Sequence, residues 1–368
     1  MIFIELAVVL GAIYFGARLG SIGIGFAGGV GVLVLALFGV RPGDIPIDVI
    51  LIIMSVIAAI AAMQVAGGLD YLVYLAERLL RKHPKHITYF APLITYLMAL
   101  MAGTGHTAFS TLPVIVEVAK KQGIRPSRPL SIAVVASQVA ITASPISAAV
   151  VFFAGAMESL GVDYFQILAI CIPSTLLAVI LSSFVTNFLG KDLKDDEVYQ
   201  QRLKEGLVQT REISNTQALP HAVRSVWIFL AAIVTVMLYA TFISENIGIV
   251  PKESIILSRD NAIIVFMLTA AATIAWLCRI ECANVLNAST FKSGMSACVC
   301  ILGVAWVGTT FVNAHTTEIN AFAGDLLRNY PWLLAVTLFF AAMLLYSQAA
   351  TAKALMPRLV TIKRGSRL

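Results

Sequence analysis

"AGTGHTAFSTLP", residues 102–113, decides how this chain folds. Two glycines, a histidine, four hydroxyl side chains and a proline sit inside an uncharged run that extends from 87 to 116. Basic stretches bracket that run. Residues 78–86 carry Arg78, Arg81, Lys82 and Lys85, and residues 120–128 carry Lys120, Lys121, Arg125 and Arg128. In membrane proteins such residues mark cytoplasmic loops, so both ends of the run belong on one side. At about 1.5 Å per residue, roughly 30 helical residues reach about 45 Å, too little for two crossings of about 30 Å. The run predicts a re-entrant hairpin, 87–118, with its polar tip at mid-membrane.

The rest of the chain supports a membrane setting. Hydrophobic residues make up 59% and charged residues 12%, where a soluble domain has about 25% charged. Mean hydropathy is +0.89. Uncharged runs of spanning length recur at 49–69, 129–157, 164–190, 226–244, 261–278, 293–317 and 329–352. A crossing needs about 20 such residues. Residues 1–17 form another candidate span; the early Glu5 and the lack of a basic leader argue against a cleaved signal. The predicted fold is an all-α polytopic membrane protein. Helices are expected over 2–17, 20–39, 49–67, 164–189, 226–244, 261–279 and 293–313, with charged amphipathic stretches at 74–86 and 316–330.

Composition also excludes function classes. A net charge of +6 without a basic patch on a soluble fold argues against nucleic-acid binding. Five cysteines lie in or beside apolar runs and read as packing residues rather than metal ligands. No P-loop, nucleophile elbow, HExxH or zinc spacing occurs, so no metal site, cofactor or enzyme activity is expected.

The two halves resemble one another. "LLRKHP" at 79–84 returns as "LLRNYP" at 326–331, and "TAFSTLP" at 107–113 as "TAKALMP" at 351–357. Met54-Ser55 with Gly67 returns as Met295-Ser296 with Gly308. The offsets are 247, 244 and 241, nearly constant and in order. Tracing the crossings puts the N-terminus outside and the linker inside, so the second copy runs inverted, as in many secondary transporters. The expected organisation is a first repeat at 1–189, holding hairpin 87–118 and a broken span at 130–157. A hydrophilic cytoplasmic linker follows at 190–225, then an incomplete second repeat at 226–357 with hairpin 331–357. A divergent tail occupies 358–368.

Polar residues inside these runs are the candidate site. A hairpin tip leaves backbone groups that lipid cannot satisfy, so it must be buried in protein or line a wet cavity. Helix ends and hydroxyls there suit a carboxylate, which nominates Thr104, Gly105, His106 and Thr107. In "AITASPIS", 140–147, Ser144-Pro145 interrupts a long apolar run, and Thr142, Ser144, Pro145 and Ser147 can line the break. The alternative at both places is a plain kink with satisfied hydroxyls. In the second half Ser347, Gln348 and Thr351 surround Lys353, which follows a 24-residue uncharged run. A lysine at such depth marks a functional site unless it snorkels to an interface. Glu77 and Arg81 sit four apart, a favourable pair on one helix face, the alternative being a plain solvated face.

Several of these motifs carry a family likeness. "GARLGSIGIGFAGGVGVLVLALFGVRPGDIP", "MQVAGGLDYL", "GTGHTAFSTLPVIVEVAK", "ITASPISAAVV" and "SQAATAKALMP" resemble the anaerobic C4-dicarboxylate transporter (Dcu) family of bacteria, in its DcuA-like branch. The resemblance implies exchange or uptake of fumarate, malate, succinate and aspartate across the inner (cytoplasmic) membrane. It implies the inverted-repeat architecture of the wider ion-transporter superfamily. It places transport-associated charges on Glu77, Arg81 and Arg125. It also implies dicarboxylates and the lipid bilayer as partners, with a dicarboxylate sensor kinase or a second copy of the chain as further ones. The tail "RLVTIKRGSRL" after Pro357 departs from the family pattern, so the chain is expected to be truncated in its second repeat and its transport impaired. A transport-inactive scaffold or sensor partner is the alternative.

Overall fold

The computed structural model describes residues 1–205, 221–243, 251 and 254–315, apart from 21, 46, 148, 151–152, 155–156, 158–161 and 163, together with five single positions beyond. The second amphipathic stretch and the second hairpin, with Ser347, Gln348, Thr351 and Lys353, lie outside the described residues.

Every regular element among the described residues is helical. In chain order they are α1 (Ile2–Leu19), α2 (Gly23–Leu37), α3 (Ile47–Val65), α4 (Gly68–Lys82), α5 (Ile87–Ala102), α6 (Leu112–Lys121), α7 (Ser127–Ala140), α8 (Tyr164–Asn187), α9 (Glu197–Lys204), α10 (Ala222–Phe242), α11 (Arg259–Leu277), α12 (Cys282–Val285) and α13 (Ser289–Ala314). Six of them, α1, α3, α8, α10, α11 and α13, are long and apolar enough to cross a membrane. α2, of 15 residues, is apolar but shorter.

The helices form two packed groups. One contains α1, α2, α3, α10, α11 and α13. Lipid is as apolar as leucine, so burial alone does not drive such helices together; close backbone approach does. The α2–α13 seam shows this. A methyl added at Gly28 would overlap the Gly303 backbone, and one at Gly303 would overlap Gly25. At one end of this group Gln64 bridges to Ser289 (2.8 Å) and to the Thr290 hydroxyl (2.6 Å). At the other end the Gly43 amide donates to the Thr310 hydroxyl at 3.0 Å, and Trp306 donates to the Gly43 carbonyl at 2.8 Å. α3 and α13 therefore run in opposite directions.

The second group contains α4 to α8. Small residues let α5 and α7 approach: Ala99, Ala136 and Ala140 pack with Tyr96 and Val179 of α8. The buried Thr95 hydroxyl donates to the Ala133 carbonyl of α7 at 2.8 Å. α4 begins at Gly67, whose left-handed φ of 83° turns the chain out of α3. Its start at Gly68 is earlier than the expected 74, because this turn rather than the first charge sets the helix boundary.

The linker is partly built into the fold. Arg128 donates to the Leu189 carbonyl (2.6 Å) and to Asp192 (2.6 Å), and Arg125 pairs with Asp196 (3.3 Å). Asp196 also caps α9 by accepting from the Tyr199 amide. The solvated connector predicted over 190–225 thus contains a helix clipped to the loop before α7, and α10 already begins at Ala222.

Candidate functional site

The predicted polar stretch interrupts regular helix as the glycines require. α5 ends at Gly103, whose φ of 65° is left-handed. A 3₁₀ segment, Gly105–Thr111, follows, and α6 resumes with Pro113 in its first turn. Pro113 fits there because its missing N–H has no helical partner in any case.

In the next segment α7 gives way to a short 3₁₀ turn, Ile141–Ala143. Ser144 is extended (φ −76°, ψ 129°), as a residue before proline prefers. Residues 143–147 are all buried. The break frees backbone groups, and Tyr164 at the head of α8 satisfies one by donating its hydroxyl to the Pro145 carbonyl.

The two interruptions face each other. A methyl at Gly103 would meet the Ile146 side chain at 3.1 Å. One at Gly105 would overlap the Gln138 carboxamide. Ala102 and Ile146 share one apolar cluster with α3, α10 and α11, so tip and break also abut the other helix group.

The hydroxyls differ in what they do. Thr142 donates to its own helix at the Val139 carbonyl (2.7 Å). Ser147 accepts from the Ala149 amide at 3.3 Å. Ser144 Oγ is fully buried and has no hydrogen-bond partner among the described residues. Such a group costs about 1–3 kcal/mol unless a ligand or water engages it. The side chains of His106 and Thr107 lie outside the described part. Gln138, six residues before Ser144 in the same uncharged run, lies against Gly105 of the tip and is a candidate that the sequence reading passed over. Its amide in an apolar stretch was the available signal.

The predicted charges gather elsewhere, at the base of α4 and α6. Arg81 donates to Glu77 (2.7 Å) and to both oxygens of Glu117 (3.1 Å each), and Lys121 pairs with Glu117 at 2.6 Å. The Glu117 side chain is only 3% exposed. Burial pushes its pKa up, but the hydrogen bonds and charges of Lys121 and Arg81 outweigh that and hold it below the ordinary 4.5. Arg125 pairs with Asp196 at 3.3 Å. Among the described residues, the ion pairs of Glu77, Arg81 and Arg125 include no residue of the tip. Among the described residues no group of three or more His, Cys, Asp or Glu is placed to hold a metal ion.

A many-helix bundle with a broken span packed against a glycine-lined helix interruption defines a polytopic membrane protein with a buried polar site. The chain belongs to the anaerobic C4-dicarboxylate membrane transporter family, whose model matches residues 1–364. It is therefore a transporter-family protein and not an enzyme. It is 61% identical over 363 residues to the C4-dicarboxylate transporter DcuA of Wolinella succinogenes, covering 98% of this chain and 83% of the relative. Similarity to DcuA of Escherichia coli K12 is 56% identity over 358 residues (97% and 82%). That to DcuA of Helicobacter pylori 26695 is 53% over 361 residues (98% and 81%). These matches correct one expectation. Similarity runs through nearly all of the chain, to residue 364 in the family model, so the expected truncation is not supported.

Proposed function

We propose that the protein is a secondary transporter of C4-dicarboxylates such as fumarate, malate, succinate and aspartate, working by exchange or uptake in the bacterial inner membrane. One substrate carboxylate binds where the tip, Thr104–Thr107, meets the break, Thr142–Ser147. The observation that supports this site is Ser144: a buried hydroxyl with no hydrogen-bond partner among the described residues, in an unwound segment that faces the hairpin glycines. The other carboxylate is assigned to the second tip, at Ser347, Gln348, Thr351 and Lys353, where lysine supplies the cation that a dianion needs.

Several observations support a re-entrant hairpin and an inverted repeat. Ile87 at the start of α5 and Val118 near the end of α6 share one cluster with Leu80 of α4, so both ends of the hairpin sit together. Exchanging α1, α2 and α3 with α10, α11 and α13 leaves the packing pattern of the first group unchanged: α2 on α13 becomes α11 on α3, and α1 on α2 becomes α10 on α11. The basic residues of α4, α6 and the clipped linker share one end, which the positive-inside rule assigns to the cytoplasm. Association with a sensor kinase or a second copy rests on the resemblance alone, and no observation favours a transport-inactive scaffold.

The test is uptake of labelled fumarate by proteoliposomes preloaded with succinate. Saturable counterflow, competed by malate and aspartate, is expected. Its absence in correctly inserted protein refutes the transport reading. Unchanged affinity in Ser144→Ala refutes the site, and unchanged affinity in Lys353→Ala refutes the second carboxylate assignment.

A further inference from the structure

We propose that Glu117 is a positioning residue that latches the return helix of the hairpin, α6, to the amphipathic helix α4 through Arg81, and so holds the tip against the break.

The latch is an alternating chain of charge, Glu77–Arg81–Glu117–Lys121. Its outer links are i,i+4 pairs within α4 and within α6. The middle link joins the two helices across 36 residues of sequence. Glu117 is the hub. Its carboxylate is almost fully buried while Arg81 and Lys121 are 37% and 40% exposed. A buried carboxylate is stable only while its partners stay in place, so the pair fixes one geometry more than it adds net stability. Exposed links of this kind contribute little by themselves.

α6 needs such a fixture. It has 10 residues, under three turns, too few to be a stable helix alone. Its apolar face, Val114, Ile115, Val118 and Ala119, packs on Leu80, Ile87 and Ala91. Apolar packing is non-directional and leaves α6 free to slide. The Arg81–Glu117 bond is directional and pins its register. The 3₁₀ segment Gly105–Thr111 is continuous with α6, so any shift of the helix is passed to the tip. Arg81 accordingly acts through Glu117, not on the substrate.

The test uses the full chain in detergent and in proteoliposomes with labelled fumarate, comparing Glu117→Gln, Arg81→Gln, their double variant and Arg81→Lys. Each single neutral variant should speed amide hydrogen exchange over 105–111 by about fivefold or more and raise the apparent KM by a similar factor, since coupled pairs interact by amounts of that order. The double variant should be no worse than either single one. Arg81→Lys, which keeps the cation, should restore most of both readouts. Unchanged tip exchange in Glu117→Gln overturns the latch, as do additive effects or an Arg81→Lys protein as impaired as Arg81→Gln. Should Glu117→Gln fail to insert, Lys121→Gln gives a second probe: faster tip exchange supports the hub role and no change overturns it. The uptake readout rests on the transport reading, but the exchange readout does not. A protein without fumarate uptake whose tip still responds to Glu117→Gln sinks the transport reading alone.

Discussion

At Ser144 the demands of folding and of binding pull in opposite directions. Its buried hydroxyl has no hydrogen-bond partner among the described residues and so weighs against folding. Ser144→Ala should raise thermal stability in detergent by about 1 kcal/mol while lowering substrate affinity. A variant that loses stability would show that the hydroxyl is satisfied in the resting protein. Tyr164 behaves in the reverse way. Tyr164→Phe removes the donor to the Pro145 carbonyl and should cost about 1–3 kcal/mol, because the carbonyl stays buried in the break. Glu117 adds a pH dependence with a definite sign. Its pKa is lowered by folding, so its contribution is full above the unfolded value near 4.5 and is lost as pH falls through the folded one. Thermal unfolding of the wild type should therefore weaken below pH 4.5 more steeply than that of Glu117→Gln.

At the scale of the element, backbone placement was legible in the sequence and side-chain partnership was not. Gly103 announces an interruption because few other residues tolerate its left-handed φ, and Ser144-Pro145 does so because proline removes a helix donor and pushes the residue before it into extended backbone. The spans themselves follow from length and hydropathy. What no local pattern carries is which faces meet. Gly25 and Gly28 look alike in "GFAGGVG" to Gly29, yet a methyl at Gly29 meets nothing within 4 Å and one at Gly28 collides with α13. The difference lies in a partner helix distant in sequence. Gly29→Ala should accordingly be neutral or stabilising by up to about 1 kcal/mol. Gly303→Val should cost about 3 kcal/mol or prevent assembly, since helix backbone cannot yield as a side chain does. Size-exclusion profiles of the two purified variants would separate these outcomes. The link from Glu117 to Arg81 escaped notice for the same reason: Arg81 belongs to another helix.

For the whole molecule, the proposed orientation rests on the end-to-end distribution of charge. Cys282 is exposed just past the end of α11, where Arg224 of α10 bonds to the Leu277 carbonyl, while Asp44 lies at the opposite end of α13 and accepts from Thr309. An impermeant thiol reagent should label Asp44→Cys in intact cells and native Cys282 only after permeabilisation. The opposite pattern would invert the topology and with it the assignment of the hairpin base to the cytoplasm. Among the described residues, the packing exchange that relates α1–α3 to α10, α11 and α13 also ties the halves together. In the first group α2 packs on α13 and α3 on α11, so faces of α1–α3 are completed by helices distant in sequence.

The glycine seam between α2 and α13 has a consequence for biosynthesis. Gly28 leaves the ribosome 275 residues ahead of Gly303. At about 5–20 residues per second, that is a wait of roughly 14–55 seconds. Throughout it α2, a glycine-rich and intrinsically weak helix, sits in the bilayer with its flattest face uncovered. That interval is when the nascent protein is most open to membrane proteases and to mispairing with a neighbouring chain. In a pulse-chase experiment, protease resistance of α2 should appear only once α13 has inserted. Resistance gained earlier would mean that something other than α13 covers the seam during synthesis.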